Sequence, residues 1–477
     1  MNLTGSAPEG AARLYGEAVT VRDAFETSDE QAARGRAARA RLPRSGLAAV
    51  PALAGPRDPV GAVLAQSATR VAELVPLRHE RMAASAFAFY RGSAGVMAAD
   101  LAAGQHSGLV VQLCGDAHLS NFGVFGSPER RLLFDLNDFD ETLPGPFEWD
   151  VKRLVASVEL AGRHIGASDA VRERACRGAA REYRRTMRGF ADERALDVWY
   201  ARLDARETST SLDLGLDRTA QRAWRRLTGK AASREHGHAV ARLTALREDG
   251  TRRFVSDPPL VVPLDDVMPP PEAVRFRAGM AQLVLHWRES LAPDRRHLAA
   301  QYRVVDLARK VVGVGSVGTR AWVLLLEGRT PDDLVVLQAK EAQASVLEAH
   351  VGASGYRHHG RRVVEGQRLM QAASDIFLGW QTVAGLDGVE RDYYVRQLRD
   401  WKGSVPVEAL RAEALGPYAR ACAWTLARAH ARSGDRAAIA AYLGASARAD
   451  EAFAEFARTY ADQVALDHAA FAAAVGP

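Results

Sequence analysis

The chain has 477 residues, 47% hydrophobic and 25% charged, with a net charge of +5. That balance excludes a disordered or fibrous protein and gives enough length for two lobes with separate cores. No run approaches the roughly 18 uninterrupted apolar residues of a transmembrane helix. The N-terminus, MNLTGSAPEGAARLYGEAV, has no basic segment followed by an apolar one, so a cytosolic location and no membrane partner are expected.

Residues 1–57 are rich in Ala, Arg, Gly and Pro with weak periodicity, which predicts a loosely ordered arm. Helical spacing runs from about Asp58 to Ala103, interrupted at SAFAFYRGSAG. LVVQLCG (109–115) and RLLFDLND (131–138) read as short strands flanking an acidic loop. Helices follow Trp149, with Asp150 and Ser168 as N-caps. Residues 196–300 alternate helical stretches with polar breaks. From Tyr302 the segments VVDLARKVVGVG, TRAWVLLLEG, DLVVLQAKEA and RDYYVRQL read as strands, interrupted by one helix, RRVVEGQRLMQAAS. From about Val407 the chain is Ala-rich helix, and HARSGD (430–435) reads as a helix end capped by Gly434. The expected organisation is an arm (1–57), a helical lobe (58–300), a small β-rich lobe (301–402) and C-terminal helices (403–477) completing the helical lobe.

Three dispersed cysteines, Cys114, Cys176 and Cys422, form no CxxC pair, which argues against a disulfide framework or a structural zinc site. Cys114 reads as a small half-buried thiol. The basic residues are scattered without interleaved aromatics, which argues against nucleic acid as a partner. Only five of the 63 are lysines. A lysine at a motif position is therefore informative, since an ammonium and a guanidinium fork do different chemistry.

The densest chemistry lies in CGDAHLSNFGVFGSPERRLLFDLNDFDETLPGPFEWD. So much negative charge in one loop–strand–loop calls for a cation. In phosphoryl transfer one Asp orients or deprotonates the acceptor hydroxyl, while an Asn five residues on and an Asp on the next strand hold magnesium. Asp116, Asn121 and Asp138 have those spacings. A metallophosphoesterase is the rival chemistry, but His118 is the one nearby histidine and no GNH-like segment follows. Asp135, Asp140 and Glu141 add charge around the second Asp, either as further metal ligands or as surface carboxylates. Asp140 is placed with the metal set and Asp135 at the surface.

A second constellation is VVGVGSVGTRAWVLLLEG followed by LVVLQAKEA. A glycine-rich turn between strands lets backbone N–H groups approach phosphates, and a lysine on the following strand meets their charge. Gly313, Gly315, Ser316, Gly318 and Lys340 fit that plan, although the glycines alone would also suit a tight hairpin. Glu365 in the intervening helix is the expected acid partner of Lys340. Tyr90 and Arg91 read as a packing aromatic and a structural ion pair. YYVRQLRDWKGS (393–404) reads as the linker between lobes, with Lys402 either facing substrate or solvated.

GDxHxxN, a strand ending in DFD, then PGPFEWDVKRL resembles the aminoglycoside phosphotransferase and choline-kinase branch of protein-kinase-like folds. The resemblance implies Asp116 as catalytic base, Asn121 and Asp138 as metal ligands and Asp150 as a structural residue capping the next helix. Cys114 stands where that branch usually has His. Here the glycine-rich lobe follows the catalytic loop, so the implied fold is a two-lobed α+β protein-kinase-like architecture, circularly permuted. With SAFAFYRG, GVGSVG, QAKEA, GQRLMQAASD and LARAHARSGD, the chain from roughly Asp58 onward resembles the bacterial DUF2252 family. The implied cofactors are ATP and Mg2+, and the implied activity is phosphorylation of a hydroxyl on a small-molecule acceptor. A nucleotide-binding pseudokinase and a nucleotidyl transferase are the alternatives.

Overall fold

The computed structural model describes residues 26–50, 57–205, 229 and 236–476, apart from 249, 312, 314, 316, 386 and 399–402. Helix α1 (Ser28–Arg41) opens with a capping box in which Thr27 and Glu30 bond reciprocally. The short helix α2 (Ala86–Gly92) carries Tyr90 and Arg91. Strand β1 (Val110–Leu113) pairs with β4 (Leu143–Pro146), and between them β2 (Phe122–Gly126) pairs with β3 (Leu132–Leu136). Helix α3 (Phe147–His164) follows at once, and α4 (Asp169–Asp192) packs beside it.

After α5 (His236–Leu243) and β5 (Val261–Pro263) comes α6 (Pro270–Glu289). A sheet is then completed by β6 (Arg303–Lys310), β7 (Ala321–Glu327), β8 (Leu334–Ala342), β9 (Gly379–Ala384) and β10 (Glu390–Gln397), with α7 (His359–Met370) inserted after β8. Its order is β9-β10-β8-β7-β6-β5, antiparallel throughout. Helices α8 (Ala412–Ser433), α9 (Arg436–Leu443) and α10 (Arg448–Val475) close the chain. No helix among the described residues is long and apolar enough to cross a membrane.

Side-chain alternation decides what each face of the large sheet does. Leu324, Leu326, Leu337, Ala339, Tyr393 and Val395 point one way and pack on Met280, Leu283, Val284 and Trp287 of α6. The opposite face carries Ala308, Val323, Leu325 and Val336, covered by Val240 of α5 and by Phe254. Lys340 lies on this second face, directly across from Ala321 on β7 and Tyr394 on β10. Beyond the apolar patch the face turns to the helical body, where Tyr394 and Ala342 join the main core.

Three expectations need correction. Residues 26–50 were expected in a loose arm, yet they are docked. Arg39 Nε donates to the Tyr442 carbonyl at 3.0 Å, Arg34 pairs with Asp435, and Leu47 is fully buried. Residues 1–25 lie outside the described set. Secondly, Asp150 is not an N-cap: α3 begins at Phe147 with Pro146 in that position, so Asp150 sits inside the first turn. Thirdly, β2 and β9 were not anticipated, because both are short, and the glycines of FGVFG mask its alternation. Gly434 does follow α8 as its C-cap.

Candidate functional site

Helix α3 is buried from Phe147 to Gly162, so every polar side chain on it must find a partner. Asp150, Arg153 and Ser157 fall at i, i+3 and i+7, a single helix face, and that face holds the loop after β1. Asp150 accepts from the Cys114 and Gly115 amides at 2.7 and 3.0 Å. Arg153 forks onto Asp116 Oδ1 through Nε and Nη2 at 2.8 and 2.7 Å. Ser157 Oγ accepts from the Leu119 amide at 3.0 Å. Gly115 has φ +83°, and a Cβ there would lie 2.3 Å from the Glu141 carbonyl oxygen, so no side chain fits.

Two partners of this loop come from far along the chain. His430 on α8 has Nε2 3.2 Å from Asp150 Oδ2, and its Nδ1 lies 2.8 Å from the Tyr183 hydroxyl. A carboxylate only accepts, so Nε2 carries the proton and Tyr183 donates to Nδ1. His430 thus backs Asp150 beside Cys114. Cys114 itself is fully buried rather than half-buried, its thiol donating to the Asp138 carbonyl at 3.3 Å. Arg153 is held by the Tyr90 carbonyl at 2.7 Å and lies 3.7 Å from the Tyr90 ring centroid.

Asp116 keeps 19% of its side-chain surface. Burial raises its pKa, with Arg153 pulling the other way. Oδ2 stays clear of the fork, 3.6 Å from His118 Nε2, and burial with two nearby arginines pushes His118 well down, to the neutral form. Asn121 donates from Nδ2 to the Asp116 carbonyl at 2.7 Å, which leaves Oδ1 as the atom able to meet a cation. Its backbone carbonyl accepts from Asn137, so β2–β3 pairing sets Asn121 beside the turn that carries Asp138.

Lys340 Nζ ion-pairs with Asp140 and lies 4.0 Å from Asp138 Oδ2. The Tyr394 hydroxyl donates to the other Asp140 oxygen at 2.8 Å. Burial opposes the charge on Asp140, but Lys340 and Tyr394 outweigh it and hold that carboxyl low. Asp138 goes up, through burial and then through its neighbour Asp140. The two carboxylates remain 32% and 27% exposed while Lys340 is only 4% exposed, so the acids, not the ammonium, are the accessible members of the cluster. Arg396 adds a second positive charge near both acids and bonds the Asn137 carbonyl at 3.1 Å.

Two adjacent carboxylates and a carboxamide oxygen are the hard donors that magnesium prefers. Asp138, raised by burial and by a like charge, is the group a divalent cation would relieve. No group of three or more His, Cys, Asp or Glu side chains among the described residues is arranged to hold a metal, so such an ion would need ligand oxygens as well.

The glycine turn rests on the helical body. The Val71 amide donates to the Gly318 carbonyl at 2.8 Å, and Arg70 donates to the Val317 carbonyl at 2.6 Å. A Cβ on Gly315 would lie 2.9 Å from the carbonyl oxygen of Arg91, the neighbour of the residue that holds Arg153. Gly313 is described with open space around it, whereas Ser316 and Lys402 lie outside the described residues. Glu365 is not the partner of Lys340: it pairs with Arg368 one turn along α7 at 3.5 Å. The residue of α7 that reaches the acidic segment is Arg362, fully buried, which donates to the carbonyls of Thr142, Asp140 and Gln343 at 2.7–2.8 Å. Asp135, expected at the surface, is 1% exposed and pairs with equally buried Arg428. Tyr90 packs in the core, and Arg91 pairs with Glu408 at 3.0 Å.

Sequence reading missed Arg153, Arg362, Tyr394, Arg396 and His430. The i, i+3 spacing from Asp150 was a usable signal for Arg153. Tyr394 and Arg396 alternate along one strand, but only the register with β8 puts them beside Lys340. Nothing local marked His430.

No curated protein and no solved structure matches the chain. Residues 70–474 match the family described as an uncharacterized protein conserved in bacteria. Because that match spans most of the polypeptide, the chain belongs to the DUF2252 family.

Proposed function

We propose that this protein is an ATP- and magnesium-dependent phosphotransferase acting on a hydroxyl of a small-molecule acceptor, built on a circularly permuted protein-kinase-like fold. The observation that carries the reading is the contact of Lys340 with Asp140 and its approach to Asp138 across 200 residues of sequence. It brings the phosphate-binding lysine of the β-rich part to the acids of the helical part. The permuted fold is supported by the order of elements along the chain: the acidic loop comes first, and the sheet that follows runs as four antiparallel strands, a helix and two strands, with the lysine on the fourth.

On this reading Asp116 Oδ2 accepts the proton of the acceptor hydroxyl as its oxygen bonds to the γ-phosphorus and the bond to the β–γ bridging oxygen breaks. Arg153 works against the upward pull of burial on Asp116 and keeps its free oxygen aimed. Asp138, Asp140 and the Asn121 carboxamide would hold magnesium, which supplies charge neutralisation for the phosphates. Lys340 would meet the charge of the phosphates beside these acids, and catalysis would be mostly positioning and electrostatics.

The test is incubation with ATP labelled at the α or the γ position across a panel of hydroxylated metabolites. γ-label in the product is expected; α-label would mean nucleotidyl transfer, and no transfer to any acceptor would favour a nucleotide-binding module. Asp138→Ala is expected to lower turnover by at least about a hundredfold. Unchanged magnesium-dependent turnover in that variant would remove the metal assignment.

A further inference from the structure

Arg396, whose charge acts on Asp138 and Asp140, also lines an open pocket of about 120 Å³, together with Phe125, Asn137, Gln367, Gln371 and Ile376. Two buried polar atoms on lining residues have no hydrogen-bond partner: Asn137 Nδ2 and Gln367 Oε1, on residues 8% and 4% exposed. The orientation of Gln367 is forced by a relay. The Leu136 carbonyl accepts from Gln371 Nε2 at 2.6 Å, which turns Gln371 Oε1 to accept from Gln367 Nε2 at 2.8 Å. Gln367 Oε1 is left as a bare acceptor, and a buried acceptor without a partner is destabilising until something bonds it.

An unpaired donor and an unpaired acceptor on two residues that line one pocket complement a flat edge that carries an acceptor beside a donor, as amide side chains read adenine. Half-buried Phe125 and Ile376 and the Arg396 guanidinium offer faces on which such a ring stacks. Asn137 is also the residue immediately before Asp138, so a ring held here lies next to the acidic pair. We propose that this pocket binds an adenine base, its amino group donating to Gln367 Oε1 and a ring nitrogen accepting from Asn137 Nδ2. The site stands on its own geometry. It rests on the phosphotransferase reading only for one question, whether the base belongs to the ATP used in the cleft or to a separate nucleoside.

The experiment is calorimetric titration of the full chain with adenosine in EDTA, and with N6,N6-dimethyladenosine, which lacks the amino donor. Adenosine is expected to bind without metal, the dimethyl compound at least about tenfold more weakly, and Gln367→Leu to erase that difference. Should Gln367→Leu fail to fold, the comparison of the two nucleosides on the unaltered chain still decides. Displacement of adenosine by Mg·ATP assigns the base to the phosphoryl donor, and simultaneous binding assigns it to a separate nucleoside; both uphold the site. No adenosine binding, or equal affinity for the two nucleosides, overturns it. Mg·ATP binding that depends on Asp138 but ignores Gln367 would overturn this inference and leave the phosphotransferase reading standing. Adenosine binding with no group transfer would do the reverse.

Discussion

Lys152, one of five lysines, is buried within α3. Its ammonium lies 4.4 Å from the Phe456 ring centroid and 3.4 Å from the Ala49 carbonyl. Burial brings its pKa down to about 8, with Glu148 pulling back. The unfolded chain, with an ordinary lysine near 10.5, therefore binds more protons than the folded one between pH ~8 and ~10.5, and stability from this group rises with pH across that window. Below pH 8 the full cost of burying the charge applies, roughly 3 kcal/mol at most. Lys152→Met keeps the packing on Phe456 and removes the charge. Its Tm at pH 7 is expected to rise by a few degrees, and the increase in the urea midpoint from pH 8 to pH 10 to shrink. An unchanged pH slope would show that Lys152 is already compensated. Asp116 and Lys340 were legible as chemistry-bearing residues because their neighbours in sequence are their neighbours in the turn and the strand. Glu365 was not, because the partner of a half-buried helix acid is chosen by its own helix: Arg368 is one turn away.

At the scale of elements, α3 is the part that shapes the loop from Cys114 to Asn121. Its face of Asp150, Arg153 and Ser157 meets that loop at two backbone amides, one carboxylate and one further amide. Asp150→Asn replaces one acceptor by a donor opposite amides that also donate, so one loop amide loses its partner and His430 loses its charge-assisted bond. Hydrogen exchange at Cys114 and Gly115 is expected to accelerate at least about tenfold, with exchange in the large sheet unaltered. Uniform acceleration across the molecule would mean global destabilisation instead. The strands and helices from Arg303 to Gln397 were mostly readable, since Val, Leu and Tyr runs between turns leave little choice. The short strands β2 and β9 were not: glycines interrupt the alternation of FGVFG, and GWQTVA mixes polar and apolar residues over only six positions.

At the scale of the whole molecule, the C-terminal helices tie the acidic segment in place. Asp135 on β3 and Arg428 on α8 form an ion pair in which both side chains are 1% exposed. Asp135 also accepts from the Ala372 amide at 2.8 Å, just beyond α7. Removing one partner strands the other charge, so Asp135→Ala is expected to cost about 3–5 kcal/mol, while Asp135→Leu with Arg428→Met recovers most of the loss. Thermal unfolding of the single and double variants checks this, and equal Tm values for the two would show that the pair does not act as a unit. The residue order alone determined the loop with its Asp, Asn and paired acids, the lysine-bearing strand and the long helices, because periodicity and turn chemistry act over a few residues. Only the packed molecule decided that Lys340 takes Asp140, that Asp150 holds a loop rather than caps a helix, and that His430 and Arg428 serve a site some 300 residues before them. Those choices depend on burial, which obliges each enclosed charge to find whichever partner the fold brings within reach.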